Sequence, residues 1–312
     1  MGIRRLNFLI KQYAPDAITT KHLKEYKNTI IAIDCSIILY KYVYLATSQF
    51  SYINGFINRT KCYLSHNIIP VYVFDGSPPE EKSGTINKRT ENKNALLEKI
   101  NALKLTLEEC ECKDAKKKLL SEIKKFESQL IYINKYHILE CKEVLDAMGI
   151  PYVQAPGEGE KMCVYLQKIG AVDHIVTDDT DVFPFGCSSV IKTTLKNNII
   201  TEVNKKKILE GFKLSEDEFL DFCILCGCDY TQSIYSVGGI TAYNLIKKYK
   251  SLEEISAKTK YEITFDIEKI RSIFTDYSNY GEFSRFKLGS LDSSKIDELC
   301  LKFNLKKSIF IF

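Results

Sequence analysis

Histidine is scarce in this chain, with four residues among 312. The four occur in unrelated segments, and no Ser-His-Asp or Cys-His set stands out as a catalytic group. Cys223, Cys226 and Cys228 lie close together, but no fourth ligand is near them in the sequence. Buried small apolar side chains are therefore a better interpretation of these cysteines than a zinc site.

The chain also lacks a long apolar run. No segment approaches the length of a membrane span, and no apolar stretch of the kind found in secretory signals follows the charged N-terminus. The 11 cysteines are odd in number and scattered, which fits free thiols in a reducing compartment. We therefore expect an intracellular protein without a membrane partner, and the sequence leaves the nucleus and the cytoplasm open as its compartment. The net charge of +4 is too small to indicate a nucleic-acid partner by itself.

Three short apolar runs each stop at an aspartate. Residues 29–33 precede Asp34, residues 69–74 precede Asp75, and residues 174–177 precede the segment 178–181. Continuous apolar runs rich in β-branched residues are typical of strands buried on both faces of a parallel sheet. Functional groups collect beyond the carboxyl ends of such strands, so the pattern predicts an α/β fold with an acidic pocket at one sheet edge.

Further carboxylates point to the same edge. Glu158 and Glu160 start a helix after a glycine-rich turn, Asp179 and Asp181 share one side of a strand end, and Asp229 follows a helix and a glycine. Each acid taken alone could be a cap or a complement to a helix dipole. Crowded carboxylates repel, however, and usually persist because a cation sits among them. Seven acids in one pocket suit a site with two Mg²⁺ or Mn²⁺ ions that splits a phosphodiester. The seven are Asp34, Asp75, Glu158, Glu160, Asp179, Asp181 and Asp229.

Residues from Lys88 to Lys135 differ in character from the rest. They are rich in Lys and Glu, contain no Pro or Gly, and carry apolar residues at near-helical spacing. The stretch 110–114 lacks apolar residues and marks a turn. We predict a helical hairpin that projects from the sheet domain, and a coiled-coil arm for a protein partner is the alternative.

Other predicted elements complete the outline. We expect only a short helix in residues 1–27, helices at 36–48, 53–65, 138–148 and 213–230, and a glycine hairpin that opens a helix at 236–248. The parts are assigned as the N-terminal part of the sheet domain at 1–90, the hairpin at 91–135, the internal part of the sheet domain at 136–230, and a C-terminal part at 231–312.

In the order and the sequence of its motifs, the chain resembles the flap endonuclease family of structure-specific 5′ nucleases. This family includes the xeroderma pigmentosum group G and Holliday-junction resolving enzymes. Each matching segment is weak alone, but together and in order they are specific. The segments are Met1-Gly-Ile3, Ala32-Ile-Asp34, Tyr72-Val-Phe-Asp-Gly-Ser-Pro-Pro79, Met148-Gly-Ile-Pro-Tyr152, Ala155-Pro-Gly-Glu-Gly-Glu160, Thr177-Asp-Asp-Thr-Asp181 and Gly227-Cys-Asp-Tyr230.

The resemblance implies a PIN-like three-layer domain with a central, mostly parallel sheet, a helical arch, and a helix–two-turn–helix element at Val237–Gly239. It implies that the seven acids hold two Mg²⁺ ions, for which Mn²⁺ can substitute, and that a K⁺ ion is a candidate ligand of the helix–two-turn–helix element. Lys82, Arg89 and Asp181 become the catalytic set, although Lys82 and Arg89 would otherwise be read as solvated charges. Residues at positions that approach substrate in the family are Gly2, Tyr40, Arg59, Lys82, Arg89, Glu158, Gly227 and Gly238.

Two departures from the family pattern bear on partners. Ile240 and Thr241 stand where the family carries cations, so the grip on duplex DNA should be weaker unless Lys247 and Lys248 offset it. No clamp-binding motif is found near the end of the sequence, so recruitment by a sliding clamp is not expected.

The resulting hypothesis is a monomeric, Mg²⁺-dependent endonuclease acting on DNA with a 5′ flap or junction in replication, repair or recombination. The alternatives are a 5′ exonuclease or a junction resolvase of the same family, and a non-catalytic DNA-junction binder.

Overall fold

The computed structural model describes residues 2–46, 48, 50–130 and 133–311. These residues form a mixed sheet in the order β1-β7-β6-β5-β2-β3-β4. The strands are β1 (Ile18–His22), β2 (Ile30–Asp34), β3 (Ile69–Phe74), β4 (Tyr152–Gln154), β5 (His174–Val176), β6 (Ser189–Ile191) and β7 (Ile199–Asn204). The five strands from β6 to β4 run parallel, whereas β7 is antiparallel to both β6 and β1.

Helices cover both faces of the sheet. Their bounds are α1 (Leu6–Tyr13), α2 (Cys35–Leu45), α3 (Ser51–Leu64), α4 (Ser83–Glu109), α5 (Lys113–Glu127), α6 (Lys135–Met148), α7 (Gly159–Lys168), α8 (Val182–Phe185), α9 (Lys205–Phe212), α10 (Glu216–Cys226), α11 (Gly239–Tyr249), α12 (Leu252–Lys258), α13 (Ile267–Thr275) and α14 (Ser293–Phe303). No described helix is both long and apolar enough to cross a membrane.

Strand β2 explains why the fold has three layers. All five of its residues are buried. Ile30 and Ala32 pack into the apolar cluster that includes α1, α7 and α10, while Ile31 and Ile33 pack into the cluster that includes α2, α3 and α6. Successive strand side chains point to opposite faces, so a continuously apolar strand needs a helical layer on each side. The predicted α/β class with a mostly parallel sheet is confirmed.

Three strands were missed by the sequence prediction. Residues 1–27 contain β1 in addition to the expected helix, and β6 and β7 follow the third acidic run. In β1 no residue is fully buried, so its sequence lacks the apolar signal that marks the central strands. The helix expected at 213–230 is shorter, because Ser215 caps its start at Glu216 and Gly227, with φ +101°, follows its end at Cys226.

The Lys/Glu-rich segment forms two packed helices, α4 and α5. Ile100 and Ile123 are buried between the helices, and Lys99 Nζ lies 4.2 Å from the ring centroid of Phe126. Helix α4 begins at Ser83, so the division placed between residues 90 and 91 falls inside a continuous helix. Lys82 and Arg89 consequently lie at the foot of this hairpin.

Candidate active site

Neighbouring parallel strands bring their terminal acids to one sheet edge. Strand β2 lies between β5 and β3, so the carboxyl ends of all three strands face the same way. Asp34, Asp179 and Asp181 are almost fully buried there, with exposures of 2%, 4% and 1%. Asp75 lies one residue beyond β3 and is exposed at the mouth of the site. The predicted clustering of strand-end acids is therefore present.

Two loops join at this edge and bring Asp75 to the start of α7. The Gly76 N–H donates to the Gly157 carbonyl at 2.6 Å, and a Cβ at Gly76 would lie 2.2 Å from the Ala155 carbonyl oxygen. Only glycine permits this approach. Asp75 then accepts a hydrogen bond from the Gly159 N–H at 2.7 Å, so that the acids at 158 and 160 enter the cluster.

The three aspartates that follow β5, Asp178, Asp179 and Asp181, lie in different environments. The Asp181 N–H donates to Asp179 Oδ1 at 3.0 Å, which keeps these two side by side. Asp178 instead accepts hydrogen bonds from the backbone N–H and hydroxyl of Thr193, away from the cluster. Gly2 lies against this turn, because a Cβ there would come within 2.1 Å of Asp179 Oδ1.

Two cations at the foot of the hairpin contact the acids. Lys82 Nζ pairs with Glu158 and lies 3.2 Å from Asp229 Oδ2. Arg89 Nη2 lies 2.8 Å from the same Asp229 oxygen. These contacts place Lys82, Arg89, Glu158 and Asp229 within one site. The seven acids of the cluster outnumber these two cations.

Three neutral residues that were not predicted also hold the acids. Ser36 donates to Asp75, Tyr230 donates to Glu158, and Thr177 donates to Asp34 Oδ2 at 2.9 Å. Each lies within two residues of a predicted acid in the sequence or directly beside a strand end. Their adjacency to acidic motifs was the available signal, although a hydroxyl alone does not show which carboxylate it will meet.

The electrostatics of the cluster reflect burial and mutual repulsion. Burial, with Asp75 and Asp179 nearby, raises the pKa of Asp34 to about 7. Burial likewise raises the pKa of Glu160 and of Asp181, with contributions from the neighbouring carboxylates. For Lys82, burial works to lower the pKa, but Glu158 outweighs it and the pKa lies above its ordinary value.

The donor set fits a hard divalent cation. Asp34 Oδ1 and Asp181 Oδ1 are buried and have no hydrogen-bond partner, and every acidic donor is an oxygen, the ligand that Mg²⁺ and Mn²⁺ prefer. Within the described ranges, no group of three or more His, Cys, Asp or Glu side chains is already arranged around one ion position. Several carboxylate oxygens instead contact Lys82, Arg89, Ser36 and Tyr230.

The remaining predicted substrate residues have different surroundings. Tyr40 is exposed on α2, at 45%, and Gly238 precedes α11 with open space around it. Gly227 packs against Arg4, whose Cδ lies 3.2 Å from the position of a Cβ there. Arg59 is 7% exposed on α3, where its Nε donates to Tyr63 Oη at 2.8 Å. It is thus held in the interior rather than presented on the surface.

Comparisons with known proteins agree with this geometry. The XPG N-terminal domain family matches residues 1–96, and the XPG I-region family matches residues 149–229. Between them, these ranges contain all seven predicted acids.

Two curated relatives and one solved structure illustrate the extent of the similarity. Flap endonuclease 1 of Enterocytozoon bieneusi (strain H348) is 34% identical over 297 residues, covering 89% of this chain and 80% of the relative. Flap endonuclease 1 of Plasmodium chabaudi chabaudi is 34% identical over 294 residues, covering 84% of this chain but 59% of the longer relative. The catalytic core of Rad2 in complex with DNA substrate has a TM-score of 0.74 at 21% identity, covering 99% of this chain and 97% of that chain.

The solved core shares the fold of this protein, a PIN-like nuclease architecture, and the curated relatives show the family. The chain belongs to the flap endonuclease family.

Proposed function

We propose that the protein is a structure-specific 5′ flap endonuclease that hydrolyses DNA near single-strand/double-strand junctions. The observation that carries this proposal is the buried acid cluster at the carboxyl edge of the sheet, in contact with Lys82 and Arg89 at the foot of the α4–α5 hairpin. Membership in the flap endonuclease family supports the same activity.

In the proposed reaction a water oxygen bonds to phosphorus and the bond from phosphorus to the 3′ oxygen breaks, leaving a 5′-phosphate and a 3′-hydroxyl. Two Mg²⁺ ions, or Mn²⁺ in their place, would supply an activated water and charge neutralisation. The residues that would hold them are Asp34, Asp75, Glu158, Glu160, Asp179, Asp181 and Asp229.

Lys82 and Arg89 have a separate role in this proposal. Both now contact carboxylates, Lys82 with Glu158 and Arg89 with Asp229. A phosphate entering the site offers the same anionic oxygens, so both cations can exchange partners and stabilise charge on the phosphate. Because Lys82 immediately precedes α4, its position depends on how the hairpin sits over the acids.

The hairpin and Tyr40, one of the exposed aromatic residues of α2, would bind the flap strand. The exposed lysines of α4 and α5 provide an electrostatic path for a 5′ single strand. Stacking of a base on Tyr40 would be worth about 1–3 kcal/mol. We further propose that the protein acts as a monomer and that a K⁺ ion binds near the glycine hairpin at 237–239, where backbone amides approach the duplex.

A substrate panel tests the activity. The unmutated protein is incubated with 5′-labelled double-flap DNA, a blunt duplex and a four-way junction, each with Mg²⁺ and with EDTA. Cleavage at the flap base that requires Mg²⁺ supports the proposal. Release of single nucleotides from the duplex end would indicate an exonuclease, and symmetric cuts in the junction would indicate a resolvase.

Matched variants test the role of the hairpin foot. Lys82→Ala should reduce the single-turnover cleavage rate by about 10²–10³-fold, the range for loss of one electrostatic catalytic group. Lys302→Ala removes the same charge from α14, where Lys302 pairs with Glu143 at 2.6 Å, and should cleave like the unmutated protein. Binding without cleavage under several divalent ions would indicate a non-catalytic junction binder.

A further inference from the structure

The glycine hairpin is uncharged over a long stretch. From Thr231 to Ile246 the sequence contains no Asp, Glu, Lys or Arg, although this stretch includes the start of α11 at Gly239. Backbone amides at a helix start can bind phosphate, but most of the affinity for a duplex backbone comes from Lys and Arg side chains. Lys247 and Lys248 follow this stretch, but they lie in the last turn of α11, and Lys247 Nζ donates to the Lys213 carbonyl at 3.0 Å. Positive charge at the first turn of α11 must therefore come from another part of the fold.

Two arginines of the N-terminal segment lie against this hairpin. The Arg4 side chain donates to the hydroxyl of Ser233, and its backbone N–H donates to the Gly227 carbonyl at 3.2 Å. Arg5 lies beside Gly239, since its Cβ is 3.9 Å from the position that a Cβ would take there. Gly227 is two residues before Asp229, so the pair extends from the acid cluster to the first turn of α11.

The charges of both arginines are available to a ligand. Arg4 and Arg5 are exposed, and in the described part of the chain neither guanidinium forms an ion pair. Arg271 and Arg285, by contrast, are each paired with an aspartate, at 2.7 Å and 2.8 Å. Helix α1 anchors both arginines firmly, because Leu6, Leu9 and Ile10 are buried in the core.

The backbone at Arg5 supports a specific placement. Arg5 has φ +59°, in the left-handed region that favours glycine, yet a large charged residue occupies it. Strained backbone of this kind is often retained where a side chain must be aimed at a functional surface.

We propose that Arg4 and Arg5 bind phosphates of the duplex that leaves the acid cluster towards α11, and so supply the cations that the glycine hairpin lacks. Arginine suits this role because its guanidinium binds phosphate oxygens in a bidentate manner. The inference rests on the proposed function, and it adds a binding surface contributed by the two residues that precede α1 rather than by the hairpin itself.

The test measures DNA binding in EDTA, so that no cleavage interferes. Fluorescence anisotropy gives the affinity for flap DNA, and for its single strand alone, from roughly 50 to 200 mM salt. In Arg4→Ala/Arg5→Ala the slope of log affinity against log salt should fall by about 1 for each arginine on the flap DNA. Binding of the single strand should not change, and Arg4→Lys/Arg5→Lys should restore most of the slope.

A charge-matched control and a backbone control sharpen the result. Lys24→Ala/Lys27→Ala removes two exposed charges from the opposite edge of the sheet, before β2, and should leave the slope unchanged. Arg5→Gly removes the charge but suits the left-handed backbone, so this variant should be at least as heat-stable as the unmutated protein while its slope falls by about 1. If Arg5 had a purely structural role, the salt slope would not fall in Arg5→Gly or in the folded double Ala variant.

The possible failures are distinguishable. If the salt slopes of the folded Ala and Gly variants match that of the unmutated protein, or if single-strand binding falls equally, the arginine proposal is overturned while flap cleavage by the unmutated protein stands. If the unmutated protein binds flap DNA with the predicted slopes but never cleaves it, the proposed nuclease activity fails and the arginine proposal survives.

Discussion

Two acidic clusters in this molecule bury carboxylates, one of them beside an arginine and the other largely beside further carboxylates. On α10, α12 and α13, Asp221 is 3% exposed and meets Arg271 through two contacts, at 2.8 Å and 2.7 Å. The same guanidinium also contacts Glu253 and Glu268. At the carboxyl edge of the sheet, by contrast, Asp34 and Asp181 keep buried oxygens without any hydrogen-bond partner.

The pKa shifts differ accordingly. Hydrogen bonding to Arg271 lowers the pKa of Glu253 to about 2, whereas burial beside other carboxylates raises the pKa of Asp34 to about 7. A lowered pKa means that the folded state favours the ionised carboxyl, and a raised pKa means that the folded state disfavours it. The contrast teaches that the sheet-edge cluster is not explained by stability, and this is the physical reason to assign it to function.

The largest expected effect separates the two clusters by activity. Asp181→Ala should lower the single-turnover rate of flap cleavage by at least about 10²–10³-fold, because it removes a charged group at the reacting phosphate. DNA binding in EDTA should remain. Asp221→Asn serves as the matched change in the paired cluster and should cleave at the unmutated rate at a temperature where it is folded. Equal losses of activity in both variants would remove the contrast.

The next effect separates them by stability. Arg271→Ala leaves Asp221 buried without its cation, so the free energy of unfolding should fall by about 3–5 kcal/mol. Urea unfolding followed by circular dichroism measures this change. Arg285→Ala is the control, since Arg285 pairs with the more exposed Asp173 and its loss should cost about 1 kcal/mol or less. If Arg271→Ala costs no more than the control, the paired cluster does not stabilise the fold.

Divalent ions should stabilise one cluster only. At a Mg²⁺ concentration 100-fold above its dissociation constant, binding to the folded state alone adds about 2.7 kcal/mol to the free energy of unfolding. We expect this gain in the unmutated protein and in Glu253→Gln, but a reduced gain in Asp181→Asn. Thermal unfolding with Mg²⁺ and with EDTA provides the measurement. If the Mg²⁺-dependent gain in stability disappears in Glu253→Gln, the ion binds at the cluster around Arg271 instead of at the sheet edge.

The smallest expected effect has the opposite sign in the two clusters. In EDTA, Asp34→Asn should raise the free energy of unfolding by about 1 kcal/mol, because it removes one of several repelling buried charges. Asp221→Asn should lower it, since that carboxylate is paired with Arg271. Urea midpoints compared at neutral pH decide the signs. Destabilisation by Asp34→Asn would contradict the repulsion between buried carboxylates at the sheet edge.

The sequence was informative where a local pattern determined the outcome. Strands β2, β3 and β5 could be predicted from continuous apolar runs, and the parallel arrangement expected of such runs was enough to predict that Asp34, Asp75 and Asp179 lie together at one sheet edge. The hairpin followed from its apolar spacing and from the absence of Pro and Gly.

Features set by tertiary contacts could not be predicted in the same way. The alternation of side chains along a strand end was enough to separate Asp178 from Asp179 and Asp181, but the partner of Asp178, Thr193, could not be predicted from the sequence. The burial of Arg59 and the approach of Arg5 to Gly239 depend on helix packing across large sequence separations. Strand β1 has no buried residue, so its sequence does not distinguish it from a loop.

The most direct test of the central claim is anomalous diffraction from crystals soaked in Mn²⁺, with data collected at the manganese absorption edge. We expect manganese among Asp34, Glu160, Asp179 and Asp181 at the carboxyl edge of the sheet, and none at the cluster around Arg271. Suppose that manganese supports cleavage in solution. The assignment of the ions to the sheet edge would then be contradicted by the absence of an anomalous signal there, or by a signal only near Asp221 and Glu253.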